Sequence, residues 1–306
     1  MTMQSNATDH RESQNMDEEG KMKVEDVKSV GIVGCGTMGP TIAVATAMKY
    51  DTVVREISDE LAEKGKNKIA KFISKLADKG KLSEEEHDAC VGRVKVVVEL
   101  EKLKDCQVII DATPDKLEIK SEVLSALHEI CPWNTVFTTT SSLLSITALA
   151  AASGRPDKFI GTHFSIPAHL MKLVEVAKAI QTSEETKTFM FDFLKSLDKT
   201  PIETKDNPGL LVNWLLFPYL SAALKAYSLG LGTPEAIDTA AKLGLGFPIG
   251  PFQLMDFSGL DSCVEAFNAL YEQTRDPAYT YPPILQKMVE AGYLGTKTGK
   301  GFHDYK

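Results

Sequence analysis

The residues best placed to do chemistry are three glycines. Gly34-Cys35-Gly36-Thr37-Met38-Gly39 has the spacing G-x-G-x-x-G, directly after the apolar run Val30-Gly31-Ile32-Val33 and before an alanine-rich stretch from about Thr41. That succession predicts a strand, a tight turn and a helix, the setting in which a backbone can approach a pyrophosphate. Gly34 permits the turn, Gly36 leaves room for the phosphates, and Gly39 lets helix and strand pack closely. The helix N-terminus offers free N–H groups, and Thr37 and Met38 count with the glycines as cofactor contacts. Glu56, 17 residues past Gly39, ends the next strand-like run, close to where an acid meets the adenosine ribose. A carboxylate there accepts from the ribose hydroxyls and repels a 2′-phosphate, so NAD is expected rather than NADP; Arg55 works against that preference. A glycine turn beside a solvated acid is the plain alternative, and only the strand-turn-helix setting argues past it.

A second pattern is cationic. Lys64, Lys68, Lys71, Lys75 and Lys79 recur at intervals of four, three, four and four, which puts all five on one side of a helix. Leu61, Ile69, Phe72, Ile73 and Leu76 lie largely on the other. In a chain of net charge −8, such a stripe is the local counter-charge that a polyanionic ligand requires, although a solvated face gives the same pattern.

These residues need elements to position them. Short β-branched runs at 29–33, 52–54, 94–98, 108–110 and 136–138 are separated by helical patterns, including 116–130, where Leu117, Val123, Leu124, Leu127 and Ile130 recur mostly at helical spacing. That rhythm predicts an α/β fold, a Rossmann-type doubly wound parallel sheet. Further runs at 159–163, 172–176 and 201–203 extend it. After Asp206-Asn207-Pro208-Gly209 only helical spacing remains, starting with Leu211, Leu215, Tyr219, Leu220, Ala223 and Leu224, which predicts a C-terminal all-helical domain. The expected organisation is a disordered tail over 1–26, a dinucleotide domain over 27–205 and a helical substrate and dimerisation domain over 206–306.

Composition narrows the class. A chain of 306 residues with 43% apolar side chains can bury a large core and divides naturally in two. Five cysteines without C-x-x-C pairs suggest no disulfide framework and no metal site, and fit a reducing compartment. The negative charge gives no reason to expect nucleic acid. No stretch approaches the roughly 18 consecutive apolar residues of a membrane span, and the polar, partly acidic start lacks the features of a targeting segment. A cytoplasmic protein is expected.

Gly161-Thr162-His163-Phe164-Ser165-Ile166-Pro167, followed by Met171-Lys172-Leu173-Val174-Glu175-Val176, resembles the L-3-hydroxyacyl-CoA dehydrogenase family, including the 3-hydroxybutyryl-CoA dehydrogenases. The likeness runs over about 28–305 and takes in Thr140-Ser141-Ser142, Lys205-Asp206-Asn207-Pro208-Gly209, Asn213, Gly246-Phe247-Pro248-Ile249-Gly250-Pro251 and Thr296-Lys297-Thr298-Gly299-Lys300-Gly301-Phe302. It implies an NAD-dependent enzyme of fatty-acid β-oxidation or a related acyl-CoA pathway, interconverting 3-hydroxyacyl-CoA and 3-oxoacyl-CoA, working as a homodimer through the helical domain. Alcohol oxidation needs a base for the hydroxyl proton, and an imidazole suits that task near neutral pH. By resemblance His163 is that base and Glu175 orients its ring. Ser142, touching both cofactor and acyl-CoA, bonds the substrate oxygen, and Asn213 completes the catalytic set. Asp111, Lys116 and Lys297 are implied NAD contacts, while Lys79, with Lys75 beside it, is implied for coenzyme A. His10, His87, His128, His169 and His303 match no catalytic position.

Departures from the family pattern bear on substrate. Thr140 stands for the usual Asn, Ser165-Ile166 for a Phe-Asn pair, Trp214 for an Arg and Asp111 for a Glu. Two other readings stay open: a dehydrogenase of free hydroxy or sugar acids, opposed by the lysine stripe and the Met171 to Glu175 stretch, and a binding or structural homologue, opposed by retention of His163, Glu175, Ser142 and Asn213.

Overall fold

The β-branched runs assemble into one sheet in the computed structural model, which describes residues 22–305. Strands β1 (Ser29–Val33), β2 (Asp51–Arg55), β3 (Val94–Val97), β4 (Val108–Asp111), β5 (Val136–Thr139), β6 (Phe159–Phe164), β7 (Leu173–Lys178) and β8 (Thr200–Thr204) lie in the order β3-β2-β1-β4-β5-β6-β7-β8. Val30, Ile32 and Val33 of β1 and Val108, Ile109 and Ile110 of β4 expose no surface, as befits strands covered on both faces. The expected parallel sheet needs one correction, because β7 pairs antiparallel with β6 and parallel with β8. A parallel return takes a crossover of about a dozen residues or more, and only residues 165–172 separate β6 from β7.

Helix α1 (Gly39–Ala47) is buried at every residue, which its small side chains allow. A Cβ on Gly39 would lie 1.9 Å from the Gly34 carbonyl oxygen, so close helix–turn packing requires glycine there. Helix α2 (Asp59–Asp78) starts at Ser58, whose hydroxyl accepts from Leu61 N at 3.3 Å, with Asp59 and Glu60 favourably placed in the first turn. It buries Gly65, Ile69, Ile73 and Leu76 and exposes all five stripe lysines. Leu61, expected on the apolar side, is 38% exposed. Two helices fill the stretch between β2 and β3: Gly80, at φ +66°, follows α2, and a Ser83–Glu86 capping box opens α3 (Glu84–Arg93).

Helix α4 (Leu117–Ile130) carries a lysine on its core-facing side. Lys120 shares a face with Leu124 and Leu127, and all three are fully buried. Its ammonium donates to Asp111 Oδ2 and Thr113 O, both at 2.9 Å, and Asp111, equally buried, also accepts from Thr113 N and from the Thr113 and Thr139 hydroxyls. This cluster ties β4, β5 and α4 together. Helices α5 (Ile146–Ala152) and α6 (Glu184–Ser196) complete the unit, and Asp206 caps α5 by accepting from Ile146 N at 2.9 Å and Thr147 N at 2.8 Å.

Of the tail expected over 1–26, residues 1–21 lie outside the described residues. Val24–Asp26 form a helical turn, with Met22 and Val24 packed against the core, so the tail reading fails there.

The chain divides into two compact units between Asp206 and Asn207. The second consists of α7 (Val212–Ser228), α8 (Pro234–Thr239), α9 (Pro251–Ser258), α10 (Leu260–Thr274) and α11 (Pro283–Glu290). Two buried acids organise it. Asp238 accepts from Phe252 N and Gln253 N at the start of α9 and lies 2.8 Å from His303 Nε2. Asp256 accepts from Phe302 N, His303 N and the Tyr305 hydroxyl. Burial and the Asp256 charge hold that hydroxyl's pKa well above the usual phenol range. Among the described residues no helix is long and apolar enough to cross a membrane.

Lys120→Met should destabilise the sheet unit by about 3–5 kcal/mol, since it leaves Asp111 buried without its cation. Urea unfolding of that unit measures it, and a loss under about 1 kcal/mol would show that Asp111 is satisfied by Thr113 and Thr139 alone.

Candidate active site

The C-terminal ends of β1, β2, β4, β5 and β6 share one edge of the sheet, and strand order reverses between β1 and β4, the switch point where such sheets bind ligands. Gly34 sits there at φ +94°, and a Cβ on it would come within 2.8 Å of Ala112 O. A Cβ on Gly36 would meet nothing within 4 Å, which leaves that backbone open to a pyrophosphate. Glu56 reaches the same turn: its Oε1 accepts from Cys35 N at 2.5 Å and its Oε2 from Ile57 N at 3.1 Å. Arg55, the expected competitor, donates from Nε to Val98 O at 3.0 Å. Burial, reinforced by Glu56, pushes the Cys35 thiol up to about 12, so the cysteine within the turn is no nucleophile. This cradle fits the diphosphate and adenosine ribose of NAD.

Further along the edge, His163 and Glu175 face one another across the antiparallel β6–β7 ladder. His163 Nδ1 lies 2.7 Å from Glu175 Oε2, with the glutamate side chain 1% exposed and the imidazole 20% exposed. A carboxylate only accepts, so Nδ1 donates and Nε2 is left as the basic nitrogen. Ser142 follows β5 on the same edge. Its loop is shaped by Thr140 N donating to Asp111 O at 2.9 Å and by Ser141 Oγ accepting from Leu144 N at 3.1 Å.

Asp111 corrects an expectation. Its carboxylate is fully buried among Lys120, Thr113 and Thr139, so it shapes the turn after β4 from beneath and has no surface to offer a dinucleotide. Lys116, at the start of α4, is exposed. The residue missed from the sequence is Lys120, whose ammonium is also 3.5 Å from the half-exposed Asp115. A lysine four and seven positions from the next buried leucines was the available signal, because a buried cation requires a buried acid.

Residues 29–207 match the 3-hydroxyacyl-CoA dehydrogenase NAD binding domain, and residues 209–305 match the C-terminal domain of the same family. The chain belongs to the 3-hydroxyacyl-CoA dehydrogenase family. As such it is an NAD-dependent oxidoreductase. A probable 3-hydroxybutyryl-CoA dehydrogenase of Deinococcus radiodurans is 40% identical over 276 residues, covering 90% of this chain and 99% of its own. Among solved structures, M. tuberculosis FadB2 superposes with a TM-score of 0.88 at 34% identity, covering 92% of this chain and 99% of the other. The (S)-3-hydroxybutyryl-CoA dehydrogenase PaaH1 from Ralstonia eutropha gives 0.85 at 38% identity, covering 92% and 100%.

In this dehydrogenase the sheet unit brings together the glycine turn with Glu56, and His163 with Glu175. Lys75 and Lys79 lie exposed at the C-terminal end of α2. Asn213 and Lys297 belong to the helical unit. Asn213 is in the first turn of α7, its backbone N–H donating to Gly209 O at 3.2 Å. Lys297 bonds Asp261 at 2.7 Å and Ser262 at 3.1 Å.

Wild-type enzyme should prefer NADH strongly to NADPH, and Glu56→Ala should narrow the ratio of kcat/KM values by at least about tenfold, the cost of one charge-assisted contact. Equal use of both cofactors by the wild type would show that Arg55 governs the choice.

Proposed function

We propose that the enzyme interconverts 3-hydroxyacyl-CoA and 3-oxoacyl-CoA, with His163 as acid and base and Glu175 orienting it. The observation that carries this reading is the 2.7 Å contact between them, on the same sheet edge as the glycine turn. Bound NAD supplies the carbon that accepts the hydride from C3. His163 Nε2 takes the hydroxyl proton as the carbonyl forms and returns it in the reverse direction. Glu175 fixes the tautomer through Nδ1 and stabilises the imidazolium that results. Ser142 is assigned to the substrate oxygen, Asn213 to the catalytic set, and Lys116 and Lys297 to the dinucleotide. Lys79 and Lys75 are assigned to the phosphates of coenzyme A.

Ile166, three residues beyond His163, is 52% exposed and offers an apolar side chain where an amide is usual. This favours acyl groups larger than acetoacetyl, because an apolar wall is covered by apolar substrate and satisfies no polar one. The helical unit exposes Leu215, Leu229, Leu231, Leu243 and Leu245 at 66–84%, an apolar surface of the kind a second copy covers. Five free, buried cysteines support a reducing compartment such as the cytoplasm.

The deciding assay is NADH oxidation with acetoacetyl-CoA, with longer and branched 3-oxoacyl-CoAs and with the free acids. Turnover on free acids alone would move the enzyme to hydroxy-acid substrates, and NADH binding without turnover would favour a binding homologue. His163→Gln should lower kcat by about 10²–10⁴-fold, the usual worth of a general base, with NADH affinity within a few-fold. Glu175→Gln should cost less, since an amide still orients the ring. A wild-type rate in the first variant, or a wild-type pH profile in the second, would remove the dyad from the mechanism. Lys79→Glu should raise the KM for acyl-CoA, more at low salt than at high, and leave that for NADH unchanged; an unchanged acyl-CoA KM would return the stripe to a solvated face.

A further inference from the structure

A cavity of about 360 Å³ lies in the sheet unit, away from the glycine turn. It is walled by Lys49 just past α1, by His169 and Lys172 from the loop joining His163 to Glu175, and by Ser196, Asp198 and Lys199 at the turn from α6 into β8. Three ammonium groups therefore meet one carboxylate. Asp198 pairs with Lys172 at 2.5 Å. Lys199 donates to two neutral acceptors of the same loop, Ala168 O at 2.5 Å and Met171 O at 3.0 Å, and Lys49 lies 5.4 Å over the Tyr50 ring. Neither Lys49 nor Lys199 has an ion-pair partner among the described residues.

His169, on the same wall, reports the charge around it. Its Nδ1 is buried and makes no hydrogen bond, and its ring rests on Phe72 of α2 at 5.2 Å between centroids. Burial first, then Lys199 and Lys81, hold its pKa below the usual imidazole range, so the ring is neutral at pH 7 and registers a positive local field. In a protein of net charge −8 such a field is a local construction. The donors come from three separate elements, an arrangement that surrounds a ligand; a planar carboxylate engages a single fork, whereas a tetrahedral oxyanion offers oxygens in three directions.

We propose that this cavity binds a phosphate monoester or free phosphate, with Lys49 and Lys199 as its cationic partners. Two sources share that chemistry. One is the terminal phosphate of the coenzyme carried by the substrate, which rests on the acyl-CoA reading above and is favoured by the Phe72–His169 contact, since it joins the lysine-bearing helix to the cavity. The other is free phosphate, which rests on no substrate. In either case a filled cavity bridges α1 to the loop that joins the two members of the dyad.

Two measurements on the full chain test this: thermal unfolding in inorganic phosphate against chloride at equal ionic strength, and KM for a 3-oxoacyl-CoA against its 3′-dephospho form. Each is repeated with Lys49→Glu. A coenzyme source raises the wild-type KM about tenfold when the phosphate is removed, the worth of one charge-assisted contact, and Lys49→Glu abolishes the difference. A free-phosphate source leaves the two substrates alike, yet phosphate raises the melting temperature of the wild type and not of the variant. Equal KM values with no phosphate-dependent shift overturn the proposal. A phosphate shift without turnover on any thioester would sink the acyl-CoA reading and leave this one standing.

Discussion

The hydrogen bond between His163 and Glu175 is dictated by chain geometry before it is a matter of catalysis. Eight residues between β6 and β7 are too few for a crossover, so the chain must fold back antiparallel. Residues twelve apart in sequence then stand directly opposite in the ladder. Opposed side chains on one face of such a pair lie close enough to bond without distortion. Both backbones are fixed by their neighbours, β6 by parallel β5 and β7 by parallel β8, so the imidazole and carboxylate inherit the rigidity of a sheet interior.

The remaining buried charges follow one rule: each holds an element that packing alone would leave free to shift. Asp111 and Lys120 lock the turn after β4 beneath the glycine turn. Asp206, only partly buried, does the same from the surface and fastens the end of the sheet unit to α5. Buried ions are costly, and these are satisfied by several backbone or hydroxyl partners each, which is the condition under which they fix one arrangement without forfeiting stability.

Much of this was legible in the sequence. Alternating β-branched runs located the eight strands to within two residues, because strands buried on both faces read as continuous apolar segments. The glycine spacing located the turn because only glycine tolerates the approach that Gly34 and Gly39 make. The reversal at β7 is legible too, since 165–172 is shorter than a parallel crossover requires. Long-range polar pairing was not. Nothing near Arg155 announces that its buried guanidinium bonds the carbonyls of His128, Cys131, Pro132 and Thr135, and nothing near His169 announces a basic cavity. Such partners are set by tertiary packing of distant segments, about which local periodicity carries no information. Asp111 misled for the same reason, since a carboxylate at a strand end looks alike whether it faces ligand or core.

Asp256 gives the helical unit an unusual dependence on time. Its carboxylate is closed by the backbone of Phe302 and His303 and by the Tyr305 hydroxyl, and Asp238 is closed in part by His303. Those partners lie 46 to 65 residues further along the chain than the acids they close. The sheet unit has all its strands by Thr204 and can mature while the rest of the chain is still being made, since domains fold as units during synthesis, the N-terminal one first. The helical unit cannot satisfy its two central acids until synthesis has passed Tyr305 and that segment has left the exit tunnel. A chain cut short before Phe302 would therefore carry a finished dinucleotide fold and a helical unit with its two central acids left open.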